Sequence, residues 1–165
     1  MRRRDELAFR SFVVEHHSVL RRRAFLLCGN WADGDELAQE ALARVYVAWP
    51  RISPGAEMAY TRRTMLNLHL NDQRKRRREV LTEATPEPAV SGPDHELAVT
   101  LAELLKGLPD RQRSVLVLRF WEDLTVPQIA ETTGMPEGTI KSHISRGLAA
   151  MRERLAEPPL TGAVR

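Results

Sequence analysis

The sequence predicts an all-α protein: two small helical domains joined by a flexible linker, the second containing a helix-turn-helix. Three observations carry that prediction. Leu and Ala together supply 39 of the 165 residues while aromatics make up only 5%. Leu and Ala are strong helix formers, whereas aromatic and β-branched residues favour strands. Apolar residues recur at steps of three and four on both sides of one stretch that lacks the pattern. That stretch, TEATPEPAVSGP from Thr82 to Pro93, holds three prolines and a glycine, the composition of an extended spacer. The length suits one domain or two small ones and excludes a large multidomain enzyme.

Each element has its own signal. Leu7 to Leu27 carry Phe9, Phe12, Val13, Leu20, Ala24 and Leu27 as one stripe, and Gly29 and Asn30 end that helix. The second places Leu37, Ala41, Leu42, Val45, Ala48 and Trp49 on one face, with Asp33, Asp35 and Glu36 near the positive end of its dipole. Pro50 and Pro54 close it and define a loop to about Glu57. A third helix from about Met58 contains Tyr60, Met65, Leu66, Leu68 and Leu70 and runs into Arg74-Lys75-Arg76-Arg77-Arg78. Past the spacer, Leu97, Leu101, Leu104 and Leu105 mark a fourth helix ended by Gly107-Leu108-Pro109. A fifth from about Arg111 buries some of Val115, Leu116, Leu118 and Phe120. Thr125-Val126-Pro127-Gln128 reads as a capping box that starts a sixth, stopped at Gly134. The last, to Leu155, carries Ile140, Ile144, Leu148, Met151 and Leu155 on one face before Pro158-Pro159. The expected organisation is a first domain over 5–80, a linker over 81–93, a second domain over 94–156 and a tail over 157–165.

The net charge of +3 conceals polarity along the chain. From Tyr60 to Arg78 seven basic residues stand against Asp72 alone; from Glu79 to Asp110 seven acids stand against Lys106 alone. Blocks of one sign are what an electrostatic footprint on nucleic acid looks like. Of the 25 cations 22 are Arg, which suits bidentate recognition of phosphates and bases but equally reflects a GC-rich coding sequence. A single cysteine, Cys28, rules out an intramolecular disulfide and a four-thiolate zinc site. No apolar run approaches a membrane span, and no secretory signal follows Arg2-Arg3-Arg4. A cytoplasmic protein without cofactor or metal is expected.

The helix pair joined by Thr133-Gly134-Met135-Pro136 follows the helix-turn-helix plan, in which the second helix enters the major groove. At 100° per residue, Ser142, Ser145 and Arg146 lie opposite its apolar stripe, with Lys141 at the flank. Arg146 can bond a guanine edge bidentately, and Lys141, Ser142 and Ser145 can reach bases or phosphates. An ordinary amphipathic helix with a solvated face is the bland alternative; capping box and turn argue against it. The third helix bears Arg62, Arg63, Asn67, His69 and Asn71, where Arg neutralises phosphates and Asn offers both a donor and an acceptor to a base edge. Other candidates are weaker. His16-His17 with Cys28 do not make a metal site, because adjacent residues do not share a helix face. Glu36 and Glu40 could pass for a catalytic carboxylate pair but lack a cationic or histidine partner. No phosphate-cradling glycine motif or nucleophile elbow is present.

Four stretches in order resemble the extracytoplasmic-function sigma factors of bacterial RNA polymerase, in the sigma-70 family, and among them the actinobacterial sigma-E-like group. They are Asp35-Glu36-Leu37-Ala38-Gln39-Glu40-Ala41, similar to the family's D-x-L-x-Q-E helix, and Ala59-Tyr60-Thr61-Arg62-Arg63-Thr64-Met65-Leu66-Asn67, similar to its A-[WY]-L-x-R-I-x-x-N segment. The third is Leu108 to Arg113 with Arg119 to Leu124, and the fourth Met135 to Arg146. Together the resemblance covers about residues 5 to 156.

It implies an alternative sigma factor, not an enzyme, that binds core polymerase and directs promoter-specific initiation. Asp35, Glu36, Gln39 and Glu40 would dock on the polymerase clamp, and Leu116 and Phe120 on its flap. Asn67, with Arg62, Arg63, Arg74, Arg76 and Arg77, would meet the minus-ten element, next to a Pro50 to Glu57 loop matching one that receives a flipped base. Lys141, Ser142, Ser145 and Arg146 would read the minus-thirty-five duplex. The implied partners are core polymerase, promoter DNA and an inhibitory anti-sigma factor, with the free protein monomeric. Thr61 and Thr64 stand where the family is commonly apolar, which predicts different packing of the third helix. Few rings lie near the single-strand site, so little melting is expected without polymerase. The rival reading is a stand-alone helix-turn-helix regulator on duplex DNA, which would usually dimerise on a palindrome.

Overall fold

The computed structural model describes residues 2–76 and 92–156, with backbone alone over 72–76. Among these residues it is helical throughout, without strands: α1 Arg3–Cys28, α2 Trp31–Ala48, a 3-10 turn Trp49–Arg51, α3 Glu57–Arg76, α4 Pro93–Leu105, α5 Asp110–Leu116, a π-helical turn Val117–Trp121, α6 Val126–Thr133 and α7 Glu137–Ala156. The tail over 157–165, the 81–91 part of the expected linker, and Arg77 and Arg78 lie outside the described residues. The chain forms two compact units, Met1–Glu103 and Leu104–Arg165.

In the first unit α1 and α2 pair along their length and α3 packs mainly on α2. The α1–α2 connection is two residues long. Gly29 (φ 83°) takes the left-handed cap of α1, its N–H donating to the Phe25 carbonyl at 2.7 Å, a backbone state open to Gly at no steric cost. Asn30 then caps α2 by accepting from the Asp33 N–H at 2.9 Å. So short a connection forces the helices together, and at the crossing α2 presents Gly34. A Cβ there would stand 2.9 Å from the Phe25 backbone nitrogen, so only glycine lets the axes come this close. Leu20, Ala24, Leu26, Ala41, Val45, Met65 and Leu66 are buried to 1% exposure or less between the three helices. Each large side chain so enclosed contributes about 1.5–3 kcal/mol.

The stripe read for α1 is buried at Phe12, Leu20, Ala24 and Leu27. Its last turns are enclosed on more sides than a stripe describes: Phe25 and Leu26 are buried too, and so is Arg23, whose guanidinium touches the Met58 sulfur at 3.4 Å. Three consecutive arginines span 200° of helix surface, so one of Arg21 to Arg23 must turn inward. On α3, Thr61 and His69 are core residues rather than surface ones. The Thr61 hydroxyl donates to the Glu57 carbonyl at 2.8 Å, which satisfies the one polar atom that makes it differ from an apolar residue. His69 approaches the Cys28 sulfur at 3.8 Å. The start of α4 also belongs to this unit: His95 stacks on Trp31 (centroids 5.3 Å, 9°), and Trp31 stacks on Phe25 (4.0 Å, 7°). The compact units therefore divide within α4, past the 81–93 spacer that the sequence marks.

In the second unit α5 and α6 pack on α7. Val115, Leu116, Val117, Leu118, Ile129 and Ile140 are buried. α5 runs into a π-helical turn, where the Glu122 N–H donates to the Val117 carbonyl at 3.1 Å. Such a turn inserts one residue into the helical repeat. It breaks the phase read from the apolar spacing, and Phe120, expected among the buried candidates, is 54% exposed. Arg154, near the end of α7, donates to the Leu104 carbonyl at 3.2 Å and pins the start of the unit.

Candidate functional site

Three exposed surfaces collect the candidate residues. The first is α7. Its position is set by the capping box: the Gln128 N–H donates to the Thr125 hydroxyl at 3.4 Å, and the Thr125 N–H to the Gln128 side chain at 2.9 Å. Gly134 (φ 72°) then closes α6, its N–H donating to the Ala130 carbonyl at 2.8 Å. The Met135 N–H donates to the Thr133 hydroxyl at 3.2 Å, which fixes the turn. Lys141, Ser142, Ser145 and Arg146 are all exposed along the helix that follows. Behind them Ile140 is fully buried, Ile144, Leu148 and Met151 are half-buried, and Leu155 is 67% exposed. The helix is anchored at its start and projects as it leaves the core. Gly147 seats it on α5: a Cβ there would stand 2.6 Å from Leu116 Cδ1.

On this helix the sequence also sets His143 beside the reading face, a lone histidine with no catalytic constellation around it. His143 is half-buried, its Nδ1 sealed and without a hydrogen-bond partner. Desolvation first, then the charges of Arg146 and Arg111, hold its pKa below the ordinary histidine value.

The second surface is α3. Tyr60, Arg63, Asn67 and Asn71 are exposed at steps of three and four, one side of the helix. Arg63, Asn67 and Asn71 are among the candidates read on this helix from the sequence, and Tyr60 adds a ring beside them. Arg62 is half-buried off this stripe, and His69, read on the same helix, faces the core. The backbone of Arg74 and Arg76 continues α3; Arg77 lies outside the described residues. The loop before α3 is held by the Ile52 N–H to the Trp49 carbonyl at 3.1 Å and the Ala56 N–H to the Ser53 carbonyl at 2.9 Å.

The third surface is the acidic side of α2. Glu36, Gln39 and Glu40 are exposed, and Glu40 pairs with Arg44 at 2.6 Å. Asp35 differs. Its two oxygens accept from Arg21 Nε at 2.5 Å and Nη2 at 2.9 Å, a bidentate pair that raises the Arg21 pKa, chiefly through that hydrogen bond, and ties α2 to α1. Arg21 also lies over the Trp31 ring at 5.0 Å. Of the remaining pair, Phe120 projects from the π-helical turn with the Arg119 guanidinium 5.6 Å from its centroid, whereas Leu116 is 3% exposed under Gly147. Leu116 is a core residue, because the α5 face that contacts α7 must carry it. Among the described residues no group of three His, Cys, Asp or Glu side chains could hold a metal ion, and no helix is long and apolar enough to cross a membrane.

Comparison with known proteins matches residues 12–79 to sigma-70 region 2 and residues 98–151 to sigma-70 region 4. The chain is 38% identical over 155 residues to the RNA polymerase sigma-E factor of Streptomyces coelicolor, covering 92% of this chain and 88% of that one. In fold it is similar to the sigma factor RpoE of Bartonella quintana, solved with the anti-sigma factor NepR (TM-score 0.70, 23% identity, 90% of this chain and 96% of that one). It is also similar to CnrH, solved with the cytosolic domain of CnrY (TM-score 0.61, 20% identity, 91% and 88%).

Proposed function

This chain belongs to the sigma-70 family of RNA polymerase sigma factors, as an alternative sigma factor that binds core polymerase and directs promoter-specific initiation, and from that premise we propose how its surfaces divide the work. The first domain, over 5–80, binds the polymerase clamp through Glu36, Gln39 and Glu40 of α2 and the minus-ten element through Asn67 and Arg63, with Tyr60 beside them. Arg62, Arg74, Arg76 and Arg77 add charge toward the strand backbone. Residues 81–93 form the linker. The second domain, over 94–156, reads the minus-thirty-five duplex with Lys141, Ser142, Ser145 and Arg146 and meets the polymerase flap through Phe120. The protein has no catalysis of its own and acts in the cytoplasm.

The observation that carries this division is the exposure of the four α7 residues on one side of a helix whose entry is fixed by a complete capping box. Short polar and basic side chains on a helix free of bulky neighbours can enter a major groove. An anti-sigma factor is the third partner we assign, since the sigma factor RpoE that this fold resembles was solved with the anti-sigma factor NepR. Two weak grips joined by a linker act as one strong one, because the second contact forms at a high effective concentration.

The test is runoff transcription with core polymerase on a promoter library. Wild-type protein should give specific initiation. Arg146→Ala should relax upstream-element preference by about 1–3 kcal/mol, if it makes a bidentate base contact. Asn67→Ala should lower discrimination at the minus-ten element. Initiation with unchanged selectivity in Arg146→Ala would remove that residue from the reading face.

A further inference from the structure

Trp31, the first residue of α2, stacks with two rings. Phe25 of α1 lies 4.0 Å away at 7° and His95 of α4 lies 5.3 Å away at 9°, and the indole is only 7% exposed. One residue before His95, Asp94 reaches Arg22 of α1, Oδ2 to Nη2 at 3.9 Å. Two successive residues of one helical turn thus tie the far side of the spacer to α1 and α2. The tie is thin. Asp94 is exposed, and Arg22 Nε is sealed from solvent without an acceptor among the described residues, so the ion pair leaves its arginine incompletely satisfied. α4 also keeps Leu97 exposed and Leu101 half-buried while Ala98 and Ala102 are buried, so it does not bury the larger of its apolar sides. Because α3 ends at Arg76 in the same unit, both ends of the segment 77–91 are fixed to the first unit.

We propose that the Asp94–His95 turn is an autoinhibitory clasp on Arg22 and Trp31: in the free chain it holds the spacer closed on the first unit, and it opens when one chain holds both promoter elements. The proposal rests on the assignment of the first unit to the minus-ten element and of α7 to the minus-thirty-five duplex. The reference positions of those elements are about 25 base pairs, and so about 85 Å, apart along the duplex. With the clasp shut, the chain leading from Trp31 toward the second unit is α4 alone, 13 residues and about 20 Å. With it open, residues 77–92 add up to about 55 Å of extended chain. Holding both elements therefore selects the open form, and the shut form lowers apparent promoter affinity in proportion to its population. Weakening the clasp raises that affinity without adding any contact to DNA. One ring stack and one exposed ion pair together shift such an equilibrium by about tenfold, which the promoter contacts can overcome.

The experiment uses the full-length chain labelled with 5-fluorotryptophan, whose fluorine resonances report Trp31, Trp49 and Trp121; Trp31→Phe identifies the first by its loss. That resonance is recorded for the free chain, for free His95→Ala, and for wild type bound to core polymerase on a promoter of native spacing. The expected result is that the promoter-bound wild type and free His95→Ala share a Trp31 shift distinct from that of the free wild type. In titrations of the same promoter with core polymerase, the double variant Asp94→Asn, His95→Ala should gain about two- to tenfold in affinity, while its affinity for an isolated minus-thirty-five duplex stays that of wild type. The fluorine measurement on the wild-type complex needs no substitution, so it decides the matter even where a variant folds poorly. An unchanged Trp31 resonance in the promoter complex overturns the clasp, and so does a double variant with no gain, or with an equal gain on the isolated duplex. If the clasp fails while Arg146→Ala and Asn67→Ala still lower promoter selectivity, the two-element reading stands. If neither of those substitutions alters selectivity, the two-element reading falls and the clasp with it.

Discussion

Asp35 and Glu36 are neighbours in the chain with different work. Asp35 is committed to Arg21, and Glu36 is exposed on the acidic side of α2. Asp35→Asn should lower the stability of the first unit by up to about 1 kcal/mol, the upper range for a pair open to solvent, with little direct effect on core polymerase affinity. Glu36→Lys should weaken polymerase binding while leaving the denaturation midpoint almost unchanged. Urea melts paired with a core-binding titration separate the two, and a Glu36→Lys protein that binds core normally would remove it from the docking surface. His143 makes a second prediction at this scale. A histidine whose pKa is lower folded than unfolded takes up protons on unfolding, so its contribution is complete above the unfolded value of about 6.5 and is lost as pH falls below it. The second unit should lose stability between pH 7 and pH 5.5, and His143→Gln should lose less, as read by thermal melts at both pH values.

Helices here meet through small residues and are started by side-chain caps. Gly34→Ala would gain about 1 kcal/mol in helix propensity but place a methyl against the α1 backbone, which cannot step aside. We expect a net loss of about 1–3 kcal/mol, measured by equilibrium unfolding. Gly147→Ala meets the Leu116 side chain instead; that side chain can rotate only into a packed core, so a loss is expected there as well. Thr125→Ala removes one half of the capping box that orients the helix-turn-helix and should cost about 1 kcal/mol, with a matching fall in duplex affinity if the entry of α6 governs how α7 is presented. The π-helical turn at Val117–Trp121 shows what local pattern misses. The apolar spacing of Val115, Leu116, Leu118 and Phe120 is continuous in sequence, yet one inserted residue rotates Phe120 out to solvent while Val117 takes a core position.

At the scale of the whole molecule the expected behaviour is that of a two-handed grip. Because loop-closure entropy grows slowly, inserting Gly-Ser residues that double the 81–93 linker should cost only about 0.6 kcal/mol, less than a threefold fall in promoter affinity. Runoff transcription on promoters with native and lengthened spacing checks this; a collapse on native spacing would mean that the linker acts as a rigid ruler. The sequence by itself determined the helical class, the seven α-helices of the described residues, the caps at Thr125 and Gly134, and the exposed faces of α7 and α2. All of these follow from interactions within about four residues or from composition. What only the tertiary structure decided is which member of a local set turns inward. Arg23 rather than Arg21 or Arg22 is buried, His69 is core while Asn67 is exposed, Asp35 is spent on Arg21, and Leu116 lies under Gly147. Each of those outcomes depends on a neighbour far along the chain, and helical periodicity records only that a face exists, not what will be packed against it.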